Sequence, residues 1–296
     1  MQSILSINNV SKTYGPVQAL KGVSFEVPEG SVFGILGPNG SGKTTLLGIL
    51  LDVLKADTGT YSWFGGIADD AARRNIGSLL ETPNFYHYLS GIKNLDISAA
   101  IKQRGKDDKL RVLELAGLLA RKDSKFSTYS LGMKQRLAIA SALLGHPKVL
   151  VLDEPTNGLD PAGIAEIRQL IHELNASGIT IIMASHLLDE VEKVCTHVAI
   201  LKRGDLLLTG AVNDVLLNED LIEVKATEMA TLESMLKEMP GIRNVKLSNG
   251  SLQLAYDNGI TTDAVNRYCI DHNIVLSHLL LKTKSLETKF MELTNQ

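Results

Sequence analysis

Apolar and polar residues alternate through two stretches near the start of the chain, Ile4-Leu5-Ser6-Ile7-Asn8-Asn9-Val10 and Gly22-Val23-Ser24-Phe25-Glu26-Val27. A period of two predicts half-buried strands over residues 2–30, and Pro28-Glu29-Gly30 turns the chain at their end. The pattern then changes. Val32-Phe33-Gly34-Ile35-Leu36 is a continuous apolar run, and a helix-like Leu46-Leu47-Gly48-Ile49-Leu50 follows nine residues of loop. Thr60-Tyr61-Ser62-Trp63-Phe64 reads as a further strand, closed by Gly65-Gly66. From about 89 to 145 the spacing is helical, through Ile92, Leu95, Ile97, Ala100 and Ile101, then Leu110, Val112, Leu113, Leu115 and Leu118. Two strand–helix units come next. Val149-Leu150-Val151-Leu152 and Ile179-Thr180-Ile181-Ile182-Met183 are the unbroken runs expected of buried parallel strands, with a helix over 162–174 between them. A meander, Val198-Ala199-Ile200-Leu201 and Asp205-Leu206-Leu207-Leu208-Thr209, brackets the turn Lys202-Arg203-Gly204.

Composition shifts after about Asn218. Strand signals at 221–226, 245–247, 252–256 and 274–280 alternate with helical ones at 231–238 and 262–273. The order β-α-β-β-α-β predicts a small ferredoxin-like α+β unit. With 296 residues, 44% of them hydrophobic, the chain is expected to form one large domain, residues 1–218 with a helical subdomain at about 86–145, and a small accessory one, residues 219–296.

A net charge of −3 offers no general basic field, so no nucleic-acid partner is expected. The two cysteines, Cys195 and Cys269, lack metal-type spacing and suit a reducing, cytoplasmic setting. The first residues lack the charged and apolar regions of a signal peptide. No apolar run reaches the roughly 18–20 residues that span a bilayer, so any membrane work is expected to fall to a partner that spans it.

The loop between the apolar run and the first helix carries the chemistry. Gly37-Pro38-Asn39-Gly40-Ser41-Gly42-Lys43-Thr44-Thr45 fits the P-loop pattern G-x-x-x-x-G-K-[ST] without a mismatch, in its strand–loop–helix context. Glycines let backbone N–H groups close around a triphosphate, and the N-terminus of the helix adds a partial positive charge. Lys43 supplies a full charge for the β- and γ-phosphates, and the Thr44 hydroxyl is a ligand for Mg²⁺. The strand at 149–152 ends in Asp153 and Glu154, where ligands sit on an open α/β sheet. Asp153 is expected to hold Mg²⁺ directly or through water. Glu154 is expected to accept a proton from an attacking water, or orient it. Ser130 is a candidate N-cap of an amphipathic helix, whose first N–H groups form a second anion site.

In this order the motifs resemble the ATP-binding subunit of an ATP-binding-cassette (ABC) transporter, over about residues 1–215. Tyr14, in Lys12-Thr13-Tyr14-Gly15, is similar to the aromatic that stacks on adenine. Gly37–Thr45 is the Walker A loop and Val149–Glu154 Walker B. Tyr129-Ser130-Leu131-Gly132-Met133 resembles the LSGGQ signature, Asn157-Gly158-Leu159-Asp160 the D-loop, and His186 the switch histidine. The resemblance implies a RecA-like core with an antiparallel β subdomain and an α-helical subdomain. It also implies ATP and Mg²⁺ as cofactors, and ATP hydrolysis coupled to transport. Two such subunits pack head to tail, so Ser130 and Gly132 contact the γ-phosphate in trans, His186 contacts it in cis, and Asp160 signals across the interface.

Two motifs depart from the family pattern. Leu131 and Met133 stand where the signature has its first Gly and its Gln. Glu81 stands where Gln usually helps bind Mg²⁺; a carboxylate is a harder oxygen ligand. Glu81 with Thr82-Pro83-Asn84-Phe85-Tyr86 resembles exporters of the bacitracin-resistance and lantibiotic-immunity type. Phe85, Tyr86, Tyr88 and Leu89 either form a socket for a permease helix or fill the helical core. The expected function is therefore an ATPase on the cytoplasmic face of the membrane, driving a separate integral-membrane permease, with export of an antimicrobial peptide or drug favoured. The alternatives are a soluble ABC ATPase acting on ribosomes or nucleic acid, and a module that holds ATP without turnover. Ribosome-acting members of the family typically carry two cassettes, chromosome-acting ones a long coiled coil, and intact Lys43, Asp153, Glu154 and His186 argue for turnover.

Overall fold

The structure is a computed structural model that describes residues 2–67, 69–80, 84–216, 221–248, 250–257, 259–282 and 290. The chain divides into two compact units, Met1–Val212 and Asn213–Gln296.

The first unit begins β1 (Ser3–Tyr14), β2 (Val17–Pro28), β3 (Val32–Leu36), α1 (Lys43–Leu50), β4 (Thr58–Trp63), β5 (Gly66–Ile67), α2 (Asp70–Arg74) and β6 (Ile76–Leu79). It continues α3 (Gly91–Lys102), α4 (Lys109–Leu115), α5 (Leu131–Leu143), β7 (Val149–Asp153), α6 (Pro161–Ala176), β8 (Thr180–Ser185), α7 (Leu188–Val194), β9 (His197–Lys202) and β10 (Asp205–Ala211), with a short α8 (Val212–Leu216) after it. One sheet, in the order β2-β1-β4-β5, is antiparallel. The other, β10-β9-β3-β8-β7-β6, is parallel from β9 to β6 and carries β10 antiparallel on its edge.

Every residue of β3, β7 and β8 is buried, which is why these strands are apolar without alternation. The alternating faces of β1 and β2 join them in one core. Leu5, Ile7, Val23 and Phe25 pack with Leu46, Leu47 and Leu50 of α1 and with Val149 and Val151 of β7. Phe25 stacks on Phe33 at 5.2 Å between ring centroids. The Trp63 indole N–H donates to the Leu50 carbonyl at 3.0 Å, giving a partner to an otherwise orphaned carbonyl at the end of α1. The helical stretch expected at 89–145 consists of α3, α4 and α5, whose Leu95, Val112, Leu113 and Leu137 are buried. Neither β6 nor α7 was expected from the sequence; at four residues β6 is too short to show a period.

The second unit runs β11 (Leu221–Ala226), α9 (Met229–Glu238), β12 (Ile242–Ser248), β13 (Ser251–Tyr256), α10 (Thr262–Asp271) and β14 (Leu276–Lys282). Its antiparallel sheet has the order β12-β13-β11-β14, the strand order of a ferredoxin-like unit. Ile222, Val224, Leu252 and Leu254 of the sheet close a core with Leu232 and Leu236 of α9 and Val265 and Cys269 of α10. Burial pushes the Cys269 thiol pKa up, as it does that of Cys195, so both are inert packing groups.

Candidate functional site

Register sets the stage. Leu36 pairs with Ser185, and Asp153 with Ala184, so β3, β7 and β8 end at one level. The loops that leave these ends carry residues 37–42, Glu154 and His186. This is the sheet edge on which an α/β fold binds its ligand.

The loop from β3 closes tightly. Gly42 has φ 108°, and a Cβ there would lie 2.5 Å from the Ala19 carbonyl of β2, so only glycine fits. Lys43, the first residue of α1, is 6% exposed; its Nζ donates to the carbonyl of Gly37 at 2.8 Å and lies 3.4 Å from Glu154 Oε1. The Thr44 hydroxyl donates to Asp153 Oδ2 at 2.9 Å. Glu154 has φ 49°, a left-handed backbone that favours glycine. Its N–H donates to the Ala184 carbonyl at 3.0 Å, and its Oε2 lies 2.8 Å from His186 Nδ1. Lys43, Thr44, Asp153, Glu154 and His186 thus form one connected cluster.

A cleft of about 770 Å³ opens beside it, lined at one end by Tyr14 and at the other by residues 39–45 and Glu154. Tyr14 is 45% exposed, and Lys12 Nζ lies over its ring, 5.6 Å from the centroid. Asp57 fixes this strand end. Its carboxylate accepts from Lys12 Nζ at 2.8 Å and from the Thr13 N–H at 2.7 Å, and these bonds, Lys12's first, hold its pKa below the usual value.

The residues present fit a nucleotide. Ser41 lines the cleft, and its Oγ is buried without a hydrogen-bond partner among the described residues, a donor left for a ligand. A divalent cation fits less completely. The hydroxyl of Thr44 and the carboxylate of Asp153 are hard oxygen donors suited to Mg²⁺ beside a phosphate, whereas among the described residues no three acidic, His or Cys side chains are arranged so that they could hold a metal ion by themselves. Glu81, the third expected metal ligand, lies outside the described residues, as do Thr82 and Pro83.

Ser130, Gly132 and Asp160 do not line the cleft. Ser130 N-caps α5, its Oγ accepting from the Met133 N–H at 3.2 Å, and Asp160 N-caps α6, accepting from the Gly163 N–H at 2.9 Å. The two helix starts adjoin: a Cβ on Gly132 would stand 3.9 Å from Gly163 Cα. Phe85 packs on Phe126 at 5.3 Å, whereas Tyr86 and Tyr88 are 50% and 69% exposed, their rings 5.9 Å apart. Sequence reasoning missed the rest of the cleft wall, Pro16, Val17, Gln18, Ala19, Lys21 and Arg203. Arg203 is visible in the sequence only as part of a turn.

The profile of the ABC transporter family matches residues 20–157. An uncharacterized ABC transporter ATP-binding protein of Bacillus subtilis is 37% identical over 302 residues, covering 100% of this chain and 97% of that protein. The bacitracin transport ATP-binding protein BcrA of Enterococcus faecalis is 32% identical over 99% of this chain and 97% of its own length. The lantibiotic transport ATP-binding protein SrtF of Streptococcus pyogenes is 37% identical over 69% of this chain and 90% of its own. Among solved structures, the ADP conformation of an ATP-binding cassette of an ABC transporter superimposes with a TM-score of 0.68 at 28% identity, covering 74% of this chain and 96% of that one. For cbiO1 of Clostridium perfringens, described as part of the ABC transporter complex cbiONQ, the TM-score is 0.66 at 30% identity, over 81% and 97% of the two chains. With these relatives aligned along nearly its whole length, and a fold that superimposes on solved ABC transporter cassettes, the chain belongs to the family of ABC transporter ATP-binding proteins.

Proposed function

We propose that this chain binds and hydrolyses ATP to drive a separate membrane permease, and that the cargo is an exported antimicrobial peptide or drug. The observation that carries the reading is the connected cluster of Lys43, Thr44, Asp153, Glu154 and His186 at the end of the nucleotide-sized cleft. The cassette is assigned to residues 1–218 and the accessory domain to 219–296.

In this mechanism the base stacks on Tyr14 and the phosphates lie along residues 37–45. The N–H groups at the start of α1 and the Lys43 ammonium stabilise charge on the transferring phosphoryl group. Lys43 and Glu154 hold each other at 3.4 Å, so phosphates that draw the lysine away free the carboxylate. Glu154 then takes a proton from the attacking water, and His186, held against its Oε2, keeps the carboxylate aimed. Thr44 and Asp153 would hold Mg²⁺, which would supply neutralisation of phosphate charge. Ser130, Gly132 and Asp160 act on the cleft of a second copy packed head to tail.

The transport reading is supported by the relatives' descriptions and by one surface. Bacitracin and lantibiotic transport are what BcrA and SrtF are described as serving. Exposed Tyr86 and Tyr88 offer an amphipathic seat for a permease helix. No helix among the described residues is long and apolar enough to cross a membrane, so the permease is assigned to another chain at the cytoplasmic face. The test is to tag the chain in its native cell, solubilise the membranes gently and identify what co-purifies. A stoichiometric polytopic membrane protein is expected. Ribosomal or chromosomal partners without one would overturn the transporter reading.

A further inference from the structure

We propose that Arg203 is a nucleotide-contacting residue whose guanidinium binds the α-phosphate of a bound nucleoside di- or triphosphate; this rests on the nucleotide site proposed above. Arg203 and Gly204 form the two-residue turn between β9 and β10, where Lys202 pairs with Asp205. Their φ values are 49° and 86°, the double left-handed backbone of a type I′ hairpin. The turn is tied down on two sides. The Gly204 N–H donates to the Ser41 carbonyl of the phosphate loop at 3.0 Å, and the Gly204 carbonyl accepts from the Lys21 N–H of β2 at 2.9 Å. A Cβ on Gly204 would stand 2.8 Å from the Ala19 carbonyl, so its absence lets the turn press against β2. Arg203 therefore projects from a backbone anchored to both walls of the cleft, and it lines that cleft.

Charge singles it out. Three cations line the cleft: Lys21, Lys43 and Arg203. Lys21 Nζ is paired with Asp205 at 2.6 Å, and Lys43 Nζ lies 3.4 Å from Glu154. Arg203 is exposed and makes no hydrogen bond or ion pair among the described residues, which leaves its five donors for a ligand. Place selects the ligand group. The turn meets β2 at Gln18 and Ala19, between Tyr14 and the phosphate loop. A nucleotide with its base on Tyr14 and its terminal phosphates on residues 39–45 puts its ribose and α-phosphate at this junction. Of these the α-phosphate is the anion, and a guanidinium fits its oxygens with paired donors.

Because ATP and ADP share the α-phosphate, losing Arg203 must weaken both alike. The full chain would be titrated with a fluorescent ATP analogue and competed with ATP and with ADP. Arg203→Asn suits the test, since asparagine tolerates a left-handed backbone. It is expected to raise the Kd of both nucleotides by the same factor, about tenfold for one charge-assisted hydrogen-bonded contact. Arg203→Lys, which keeps the charge, is expected to recover most of the loss and guards against a folding defect. Kd values within twofold of the parent chain for both nucleotides would overturn the proposal. A loss for ATP alone would also overturn it, by moving the contact to the γ-phosphate. If the unaltered chain binds neither nucleotide, or binds them as well after Lys43→Ala, the nucleotide site itself fails.

Discussion

At the scale of single residues, Glu154 is held in a conformation it does not favour. A left-handed backbone costs a non-glycine residue roughly 1–2 kcal/mol. Its N–H bond to Ala184 and its carboxylate contacts with His186 and Lys43 offset that cost. The strain puts a carboxylate one residue beyond Asp153, beside Lys43, where the proposed mechanism needs a base. Glu154→Gln keeps the size and the contact with His186 but cannot take a proton. Phosphate release is expected to fall about 10²–10⁴-fold with ATP affinity nearly unchanged. Normal turnover in that variant would remove Glu154 as the base. Asp57 acts at one remove, through Lys12 and Thr13 on Tyr14. Asp57→Ala is expected to raise KM for ATP several-fold and leave kcat nearly constant. If it works through the tyrosine, Asp57→Ala adds nothing once Tyr14→Ala is present; additive losses would show an independent role.

At the scale of elements, a buried carboxylate ties α4 to the end of α5. Asp108, before α4 and 8% exposed, accepts from Arg111 Nη2 at 2.8 Å and from the Gly145 N–H at 3.3 Å. Burial pushes its pKa up, but the bonds from Arg111 and Gly145 outweigh burial and hold it below the usual 3.8. A depressed carboxylate pKa stabilises the fold above its ordinary value, and that stability is lost as pH falls through the folded value. At pH 7 Asp108→Asn is expected to be less stable by about 1.5–3 kcal/mol in urea melts. The gap should close on acidification below 3.8. A gap that stays constant with pH would show that the ionised form is not what matters. Elements differ in how openly the sequence declares them. β3, β7 and β8 are readable because burial on both faces demands continuous apolar runs. Ser130 is readable as a cap and a motif residue, and Asp160 as a motif residue only; in the fold both cap their helices, their side chains bonding three residues onward. Ile76-Gly77-Ser78-Leu79 becomes β6 only by pairing with β7, a tertiary event. Arg203 reaches the cleft for the same kind of reason, through bonds from its turn to Ser41 and Lys21, far away in sequence.

At the scale of the whole molecule, each unit closes its own core, Leu46, Val149 and their neighbours in one and Leu232, Leu252 and Val265 in the other. Residues 1–212 are therefore expected to fold and bind ATP without the rest, as a single cooperative melt and an unchanged Kd would report. The catalytic parts are divided differently. The cleft is lined by Lys43, the Glu154 carboxylate and Tyr14, while Ser130 and Gly132 stand at the start of α5 beside Gly163, outside the cleft lining. In the head-to-tail pairing proposed above, such a helix start would meet the γ-phosphate of another copy. Two broken chains should then repair each other. Lys43→Ala disables a phosphate loop but keeps a sound signature helix. Gly132→Asp keeps the loop and sets a carboxylate against the incoming phosphate, and the neighbours 3.9 Å and 4.0 Å from the new Cβ leave room for it. Each variant alone is expected to be inactive. Mixed, they form heterodimers in which the intact loop of one faces the intact signature of the other, giving one working site of two. Phosphate release should reappear on mixing, and Glu154→Gln with ATP should sediment at twice the monomer mass. Silence in the mixture, together with a monomer in ATP, would rule out head-to-tail pairing and return Ser130 and Gly132 to ordinary helix-capping roles.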